Sequence, residues 1–190
     1  SGAQIAYGRR WIDKMNDKWE SSIWISNVDG SRARQLVQGS DVKWSPDGTR
    51  IAYIARGEPT GQQIFVRWMD AEGATTQISH LTEAPSNLEW SPDGKSIAFT
   101  SNVPTRETWR IAMPTPPKGA KWTEPPQIVS RLNYRSDRIG FTDEGYRHVF
   151  VLPADGGTAR QITTGDWNHS AADYSADGQW LVFSSYRTPA

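Results

Sequence analysis

The sequence lacks cysteine and has no net charge. Without cysteine in its 190 residues, disulfide bonds, thiolate nucleophiles and cysteine-ligated zinc are excluded. Because cytoplasmic and periplasmic proteins can both do without cysteine, this absence leaves the compartment open. The 21 Lys and Arg residues balance 21 Asp and Glu residues, so the composition gives no reason to expect a nucleic acid or an anionic membrane as a partner.

Long apolar runs are missing as well. No stretch approaches the ~20 apolar residues that a membrane-spanning helix requires. The chain does not open with the basic and then apolar segments of a signal peptide. The sequence therefore predicts no membrane partner. It is instead rich in tryptophan, with ten residues, and many aromatic residues between short turns indicate many short strands.

A five-residue motif repeats along the chain. Trp44–Gly48 (Trp-Ser-Pro-Asp-Gly) recurs 46 residues later as Trp90–Gly94, and Tyr174–Gly178 follows 84 residues after that. The second gap is about two periods, so a degenerate copy is expected midway, where Tyr134–Asp137 keeps the aromatic residue and the aspartate. Repeats at this spacing indicate a modular architecture.

Each motif is followed by the pattern of a strand. Proline presets φ, aspartate caps its own backbone and glycine accepts a positive φ, so Pro-Asp-Gly predicts a hairpin turn. Apolar residues then occupy alternate positions, which share one face of a strand. These pairs are Ile5 and Tyr7, Ile51 and Tyr53, Ile97 and Phe99, and Leu181 and Phe183.

A second strand pair around a glycine turn completes each period. It occurs at residues 23–36, 64–78 and 149–162, and, through an insertion, at 109–129. Four short strands in 40 to 46 residues match the size of a propeller blade. The competing interpretation is a non-repeating β-sandwich in which the turns recur by chance.

We therefore predict an all-β fold, a partial β-propeller of about four four-stranded antiparallel blades. The single domain spans residues 1–190, with blade repeats near 1–42, 43–86, 87–131 and 132–172 and the start of another at 173–190. The segment Met113–Pro126 holds five prolines that favour an extended chain. It is interpreted as a solvated loop, or alternatively as a lip over a substrate channel that Trp122 contacts.

The sequence predicts no catalytic, cofactor-binding or metal-binding residue. It contains no Gly-x-Ser-x-Gly and no segment typical of the helix that a nucleophile elbow requires. His80, His148 and His169 are not at metal-ligand spacing and are interpreted as turn or strand residues. Trp44 and Trp90 occupy repeat positions, which favours a role in blade packing.

Two charged pairs are further candidates. Asp13 and Asp17 lie in a loop between the first two strands, but calcium requires more carboxylates at tighter spacing, so a solvated loop is favoured. Arg9 and Arg10 follow the first strand. They are interpreted as an exposed pair, with the alternative that they hold a peptide carboxylate at the channel.

The motif resembles known propeller repeats. Trp-Ser-Pro-Asp-Gly followed by Ile-Ala-Tyr or Ile-Ala-Phe is similar to repeats of TolB-like propellers and of propellers in the prolyl oligopeptidase family of serine peptidases. The stretches Arg131–Phe141, Gly145–Val151 and Arg160–Asp166, together with Gly156-Gly157, resemble the acylaminoacyl-peptidase and dipeptidyl-peptidase branch. This resemblance covers nearly the whole chain.

The resemblance implies a role without chemistry of its own. In that family a hydrolase domain with a Ser-Asp-His triad follows the propeller, which covers the active site and admits short peptides. We therefore expect a non-catalytic propeller fragment that gates short peptides in a parent peptidase. Its partners would be the parent's hydrolase domain, absent from this sequence, and short peptides. The alternatives are a TolB-like protein-interaction module and an engineered propeller fragment.

The ends of the repeat array carry a further expectation. Gly2–Tyr7 matches Gly48–Tyr53 at the offset of 46, which suggests that the chain begins inside a turn, and it ends after the second strand of another repeat. Repeat units bury their faces against neighbours. We therefore expect the terminal units to expose apolar faces and strand edges, and the fragment to self-associate.

Overall fold

A computed structural model of the chain describes residues 2–70, 72–105, 117, 119–120, 134–137, 140–142 and 145–187. The chain forms two compact units, one of residues 1–103 and 146–190 and the other of residues 104–145. The regular elements of the described residues are β-strands. Within these residues, no helix has the length and apolar character that a membrane crossing requires.

The strands follow one another in short hairpins. Their bounds are β1 (Gln4–Asp13), β2 (Lys18–Asn27), β3 (Arg34–Gln38), β4 (Ser40–Trp44), β5 (Arg50–Arg56), β6 (Gln62–Trp68), β7 (Thr75–Gln77), β8 (Ser86–Trp90), β9 (Ser96–Val103), β10 (Arg135–Ser136), β11 (Gly140–Phe141), β12 (Tyr146–Pro153), β13 (Arg160–Gln161), β14 (Asp173–Tyr174) and β15 (Leu181–Val182).

The first unit is a series of antiparallel sheets. The first sheet has the order β1-β2-β3, the second β4-β5-β6-β7, the third β13-β12-β9-β8 and the last described sheet β14-β15. A series of small antiparallel sheets, formed one after another along the chain, is the arrangement of propeller blades. The predicted fold class, a partial all-β propeller, is confirmed.

The third sheet draws its strands from both sides of residues 104–145. Strand β9 pairs with β12 from Ser96 opposite Pro153 to Val103 opposite Tyr146. Within this pairing, the rings of Phe99 and Phe150 stack with their centroids 5.4 Å apart. Because of these long-range contacts, the third sheet is completed by strands that follow residue 145 in sequence.

The blade boundaries predicted at 87–131 and 132–172 therefore need correction. The strand at 149–151, assigned from sequence to a fourth blade, is the third strand of the third sheet. Between the second and third copies of the motif, the described strands β8, β9, β12 and β13 form one sheet. The strands predicted at 109–111 and 127–129, and Trp122, lie outside the described residues.

The degenerate motif at Tyr134–Asp137 lies in the second unit. It forms a two-stranded hairpin, in which β10 pairs with β11. The backbone N–H of Thr142 donates to the Tyr134 carbonyl at 2.9 Å. The expected hairpin therefore forms, but in the described residues it is not continued into a four-stranded sheet.

Three copies of the turn motif have the same geometry. At Ser45–Gly48, Ser91–Gly94 and Ser175–Gly178, the glycine N–H donates to the serine carbonyl at 2.9 Å. The glycine φ is 68° to 70°, which strongly favours glycine. The serine hydroxyl donates to the aspartate at 2.5 to 2.6 Å, and a backbone N–H two residues after the aspartate donates to the same oxygen at 3.0 Å.

The hydrogen bonds of the turn also set the charge of its carboxylate. Donation from the Ser45 hydroxyl, followed by donation from Thr49, lowers the pKa of Asp47 to about 2. The equivalent serine and backbone bonds lower the pKa of Asp93 and of Asp177. The third copy has alanine in place of proline and keeps this geometry, so the serine, aspartate and glycine are sufficient to close the turn.

The second sheet buries both of its faces. Successive side chains of a strand point to opposite faces. Accordingly, Ile51 and Tyr53 pack with Ile23 of the first sheet, whereas Ile54 packs in a cluster with Phe99 of the third sheet. The core of the first unit therefore lies between the sheets.

Arg50 joins the second and third sheets. Its guanidinium lies 5.1 Å from the ring of Trp68 and 5.0 Å from the ring of Trp90. Its Nη2 donates to the Gly94 carbonyl at 2.9 Å. The Trp90 Nε1 in turn donates to the Lys43 carbonyl at 3.1 Å. Cation-π contacts and a charged hydrogen bond thus connect neighbouring sheets around one side chain.

We expect the substitution Arg50→Ala to lower the free energy of unfolding by about 2 kcal/mol, because it removes both aromatic contacts and a charge-assisted hydrogen bond. Urea denaturation measures this change. Lys95→Ala is the matched control, because the Lys95 side chain is 83% exposed and its ion pair with Asp93 is long, at 3.8 Å. Its effect should stay within about 0.5 kcal/mol. Equal losses in the two variants would contradict a special role for Arg50.

Candidate functional site

The two adjacent arginines are divided between the faces of the first sheet. The guanidinium of Arg9 lies 4.5 Å from the ring of Trp24, and that of Arg10 lies 4.7 Å from the ring of Trp19. Neighbouring residues of a strand point to opposite faces. The structure therefore does not bring Arg9 and Arg10 together as one cationic site, and each stacks on its own tryptophan.

The two loop aspartates shape the turn between β1 and β2. The Asp13 carboxylate accepts hydrogen bonds from the Met15 N–H at 2.9 Å and from the Asn16 Nδ2 at 2.6 Å. The bond from Asn16, and then that from Met15, lowers the pKa of Asp13. Asp17 has a φ of 48°. Among the described residues, no three His, Asp or Glu side chains come together to hold a metal ion.

The repeat tryptophans Trp44 and Trp90 differ in their surroundings. Trp90 is 4% exposed and lies in the core between the second and third sheets. Trp44 packs against the equivalent core between the first and second sheets. Its Nε1 is buried and has no hydrogen-bond partner among the described residues.

A cleft of about 390 Å³ opens beside Trp44. We call it the Trp44 cleft. It lies at the junction of the first and second sheets and is lined by Gly2, Gln4, Trp44, Ser45, Pro46, Gly48 and Met69. Gln4 begins β1 and Trp44 ends β4. The cleft therefore lies between the start of β1 and the motif turn that follows β4.

The structure brings together two histidines that lie 21 residues apart in sequence. The ring centroids of His148 and His169 are 5.3 Å apart, and the residues are only 4% and 3% exposed. His148 Nδ1 lies 3.2 Å from the Thr163 hydroxyl. His169 also makes an edge-to-face contact with Phe183, in which the ring centroids are 5.3 Å apart. We call His148 and His169 the histidine pair.

The polar atoms of His169 have unusual surroundings. Neither of its ring nitrogens has a hydrogen-bond partner among the described residues, and the buried hydroxyl of Ser185, opposite it in a β-bridge, is also without one. The spacing of the histidines in sequence did not predict this pair. Two features bring the histidines together. His148 points to the buried face of β12, and His169 forms a β-bridge with Ser185, which is a tertiary contact.

Burial lowers the pKa of both members of the histidine pair. For His148 the proximity of His169 lowers it further, and the Asp166 carboxylate opposes the shift. For His169 the Arg187 guanidinium lowers the pKa further. Both imidazoles are therefore neutral at neutral pH. His80 is separate from the pair, at the surface beside Gln77.

The histidine pair predicts that acid destabilises the fold. The unfolded chain takes up protons near pH 6.5, above the lowered pKa of each folded imidazole. The stability contributed by the neutral pair is complete above that pH and is lost as the pH falls through the folded pKa. We expect the free energy of unfolding to fall between pH 7 and pH 5, by up to about 1.4 kcal/mol per pH unit for each histidine.

Urea denaturation across this pH range tests the effect. His169→Phe keeps an aromatic ring beside Phe183 and should make the slope shallower by about one proton. His80→Gln, at the exposed histidine outside the pair, should keep the wild-type slope. A His169→Phe slope equal to that of the wild type would show that the pair does not control the acid response.

Comparison with known proteins supports the resemblance to peptidase propellers. No protein-family model matches the sequence. The chain is 28% identical over 194 residues to the uncharacterized peptidase YuxL of Bacillus subtilis (strain 168), a match over 98% of this chain and 28% of that protein. The chain thus spans little more than a quarter of the curated relative that it matches.

Solved structures share the fold. TolB from Acinetobacter baumannii aligns with a TM-score of 0.61 and 18% identity, covering 96% of this chain and 36% of that chain. An acylaminoacyl peptidase in complex with Z-Gly-Gly-Phe-chloromethyl ketone aligns with a TM-score of 0.61 and 16% identity, covering 97% of this chain and 29% of that one. The predicted similarity to both kinds of propeller is confirmed.

Proposed function

We propose that this chain is the non-catalytic propeller part of a serine peptidase of the prolyl oligopeptidase family, in which it gates and selects short peptide substrates. The observation that carries the proposal is the match of nearly the whole chain to about a quarter of a peptidase. The sequence of this chain contains no Gly-x-Ser-x-Gly elbow. We assign the nucleophile to the remainder of such a protein.

Selection by size follows from the rigidity of a stacked-sheet wall. Sheets that bury apolar residues on both faces, as the second sheet does with Ile51 and Ile54, resist being parted. In this proposal the wall admits a short extended peptide and excludes a chain of protein length, whether folded or unfolded. Support for a peptide substrate comes from the similar acylaminoacyl peptidase, whose complex holds the peptide-like Z-Gly-Gly-Phe-chloromethyl ketone.

A TolB-like interaction module is the second candidate. The fold does not separate the two functions, because the TolB and acylaminoacyl peptidase structures align with the same TM-score of 0.61. Sequence identity favours the peptidase, since the curated relative at 28% identity carries that activity in its name.

A chimera tests the proposed function. Residues 1–190 replace the matching segment of the Bacillus subtilis peptidase, after a chromogenic aminoacyl substrate for that enzyme has been chosen. We expect the chimera to cleave the small substrate and to leave an unfolded protein such as casein uncut. The isolated 190-residue chain should cleave neither and should not react with a fluorophosphonate probe for active serines.

Each component of this experiment has its own opposing result. Fluorophosphonate labelling of the isolated chain would place a nucleophile within it and overturn the non-catalytic assignment. A chimera that unfolds cooperatively but lacks activity would overturn the proposed equivalence to the peptidase segment. A chimera that degrades casein while the native peptidase does not would show that this chain does not select substrates by size.

We also propose that residues 1–190 associate with a second copy through two exposed faces. Ile5 is 45% exposed, whereas its repeat equivalent Ile51 is fully buried under the first sheet. On the last described sheet, Trp180 and Val182 are also largely exposed. A head-to-tail contact would let the last sheet of one copy cover the first sheet of the next.

Light scattering at micromolar concentrations measures this association. We expect a mass above that of one chain for the wild type and a lower mass for Val182→Lys, because a buried lysine opposes the contact. Met15→Lys, at an exposed turn outside both faces, is the control and should leave the mass unchanged. A monomeric wild type would overturn the proposed contact.

A further inference from the structure

Five Asp-Gly dipeptides lie in turns that share one backbone geometry. Their glycine N–H donates to the carbonyl three residues earlier in the chain, at 2.9 to 3.0 Å, and the glycine φ is 68° to 94°. Because the backbones agree, the turns differ mainly in the surroundings of the aspartate carboxylate. The five aspartates are Asp29, Asp47, Asp93, Asp155 and Asp177.

An aspartate that precedes glycine can isomerise, because glycine has no Cβ to obstruct the reacting groups. The glycine backbone nitrogen attacks the side-chain carboxyl carbon, the nitrogen loses its proton and one water leaves, which closes a succinimide ring. Water then opens the ring at either carbonyl and gives aspartate or isoaspartate. Ring closure requires a carboxyl group that is protonated and that can rotate toward the nitrogen.

Hydrogen bonds hold four of the five carboxylates. In the motif turns, a serine hydroxyl donates to Asp47, Asp93 and Asp177 at 2.5 to 2.6 Å. The N–H and hydroxyl of Ser31 donate to Asp29 at 2.9 and 2.6 Å. These bonds oppose rotation of the carboxylate. They also keep it ionised, since they lower the pKa of Asp47 to about 2.

The Asp155 carboxylate lacks this support. Pro153 stands where the motif has its serine, so no hydroxyl lies two residues before the aspartate. Within the described part of the chain this carboxylate has no hydrogen bond, and its ion pair with the Arg50 Nη1 is long, at 3.5 Å. The Asp155 side chain is 96% exposed, against 57% for Asp93. It is therefore free to rotate toward the glycine nitrogen.

We propose that Asp155–Gly156 is a modification site, at which aspartate converts to isoaspartate through a succinimide. Water is the only co-reactant, because the water released on ring closure is replaced on ring opening. The product continues the chain through the side-chain carboxyl carbon and leaves the α-carboxylate free. Protein isoaspartate methyltransferases methylate this carboxylate, so an enzyme of that class is the expected partner of the modified chain.

The modified turn lies at the junction of the second and third sheets. Ala154 is buried in one cluster with Ile78, and its N–H donates to the Lys95 carbonyl at 2.9 Å. A Cβ on Gly156 would lie 3.8 Å from the Ile78 carbonyl. Isoaspartate inserts one methylene between Ala154 and Gly156 and moves the carboxylate relative to Arg50. We therefore expect the modified chain to unfold at a lower urea concentration.

Peptide mapping of the 190-residue chain after incubation in isotope-labelled water at neutral pH tests the proposal. Trypsin places each Asp-Gly in a separate peptide, and the peptide with Asp155 spans residues 148–160. Ring opening adds one labelled oxygen, and chromatography separates isoaspartate from aspartate. We expect isoaspartate at Asp155 to exceed that at each other site by roughly 10-fold or more, since two hydrogen bonds hold each of the others.

A serine exchange gives the matched variants. Pro153→Ser gives residues 153–156 the sequence Ser-Ala-Asp-Gly of the third motif copy, and its hydroxyl should lower isoaspartate at Asp155 by roughly 10-fold. Conversely, Ser175→Ala removes the hydroxyl that donates to Asp177 and should raise isoaspartate at Asp177. The site that each variant leaves unchanged is its internal control.

Methylation of the incubated chain by an isoaspartate methyltransferase gives a second readout. Asp155→Glu keeps the charge but can close only a larger ring, which forms more slowly. We expect this variant to lose most of the methylation seen with the wild type. Undiminished methylation of Asp155→Glu would place the isoaspartate at another residue.

Other results would also overturn the proposal. One is a level of isoaspartate at any motif turn that equals or exceeds the level at Asp155. Another is no isoaspartate at Asp155 under conditions in which a synthetic peptide of residues 148–160 forms it. A folded Pro153→Ser variant that isomerises at the wild-type rate is a third, and the comparison of the five wild-type sites decides the matter if that variant does not fold. These measurements are independent of peptidase activity and of the proposed function.

Discussion

The burial of one sheet against the next is the constraint on which the first unit depends. A single four-stranded sheet has two faces, and neither can remain apolar in water. In the second sheet, Ile51 packs against the first sheet and Ile54 packs against the third. Each sheet is therefore stable only as part of a stack. Arg50 reinforces the same junction with polar contacts, because its guanidinium lies between Trp68 and Trp90.

The turns and strand phases could be predicted from the sequence because they are local. Serine, aspartate and glycine within Ser45–Gly48 determine the turn through bonds within six residues. The alternation of Ile51 and Tyr53 determines which face of the strand is apolar. Neither inference requires knowledge of where the rest of the chain lies.

Strand pairing across long distances could not be predicted in the same way. The pattern of Val149–Val151 fits the third strand of any blade, so the sequence alone did not show that it pairs with β9. The contact between His148 and His169 has the same origin, because it depends on which strands become neighbours.

The position of residues 104–145 has a consequence for synthesis on the ribosome. Strand β9 is complete at Val103, but its partner β12 begins at Tyr146. At about 5 to 20 residues per second, the ribosome needs roughly 2 to 8 s to make the intervening segment. During that interval Phe99 has no Phe150 to stack on, and the edge of β9 is open to other chains. The nascent protein therefore passes through a period in which a chaperone that covers strand edges would protect it.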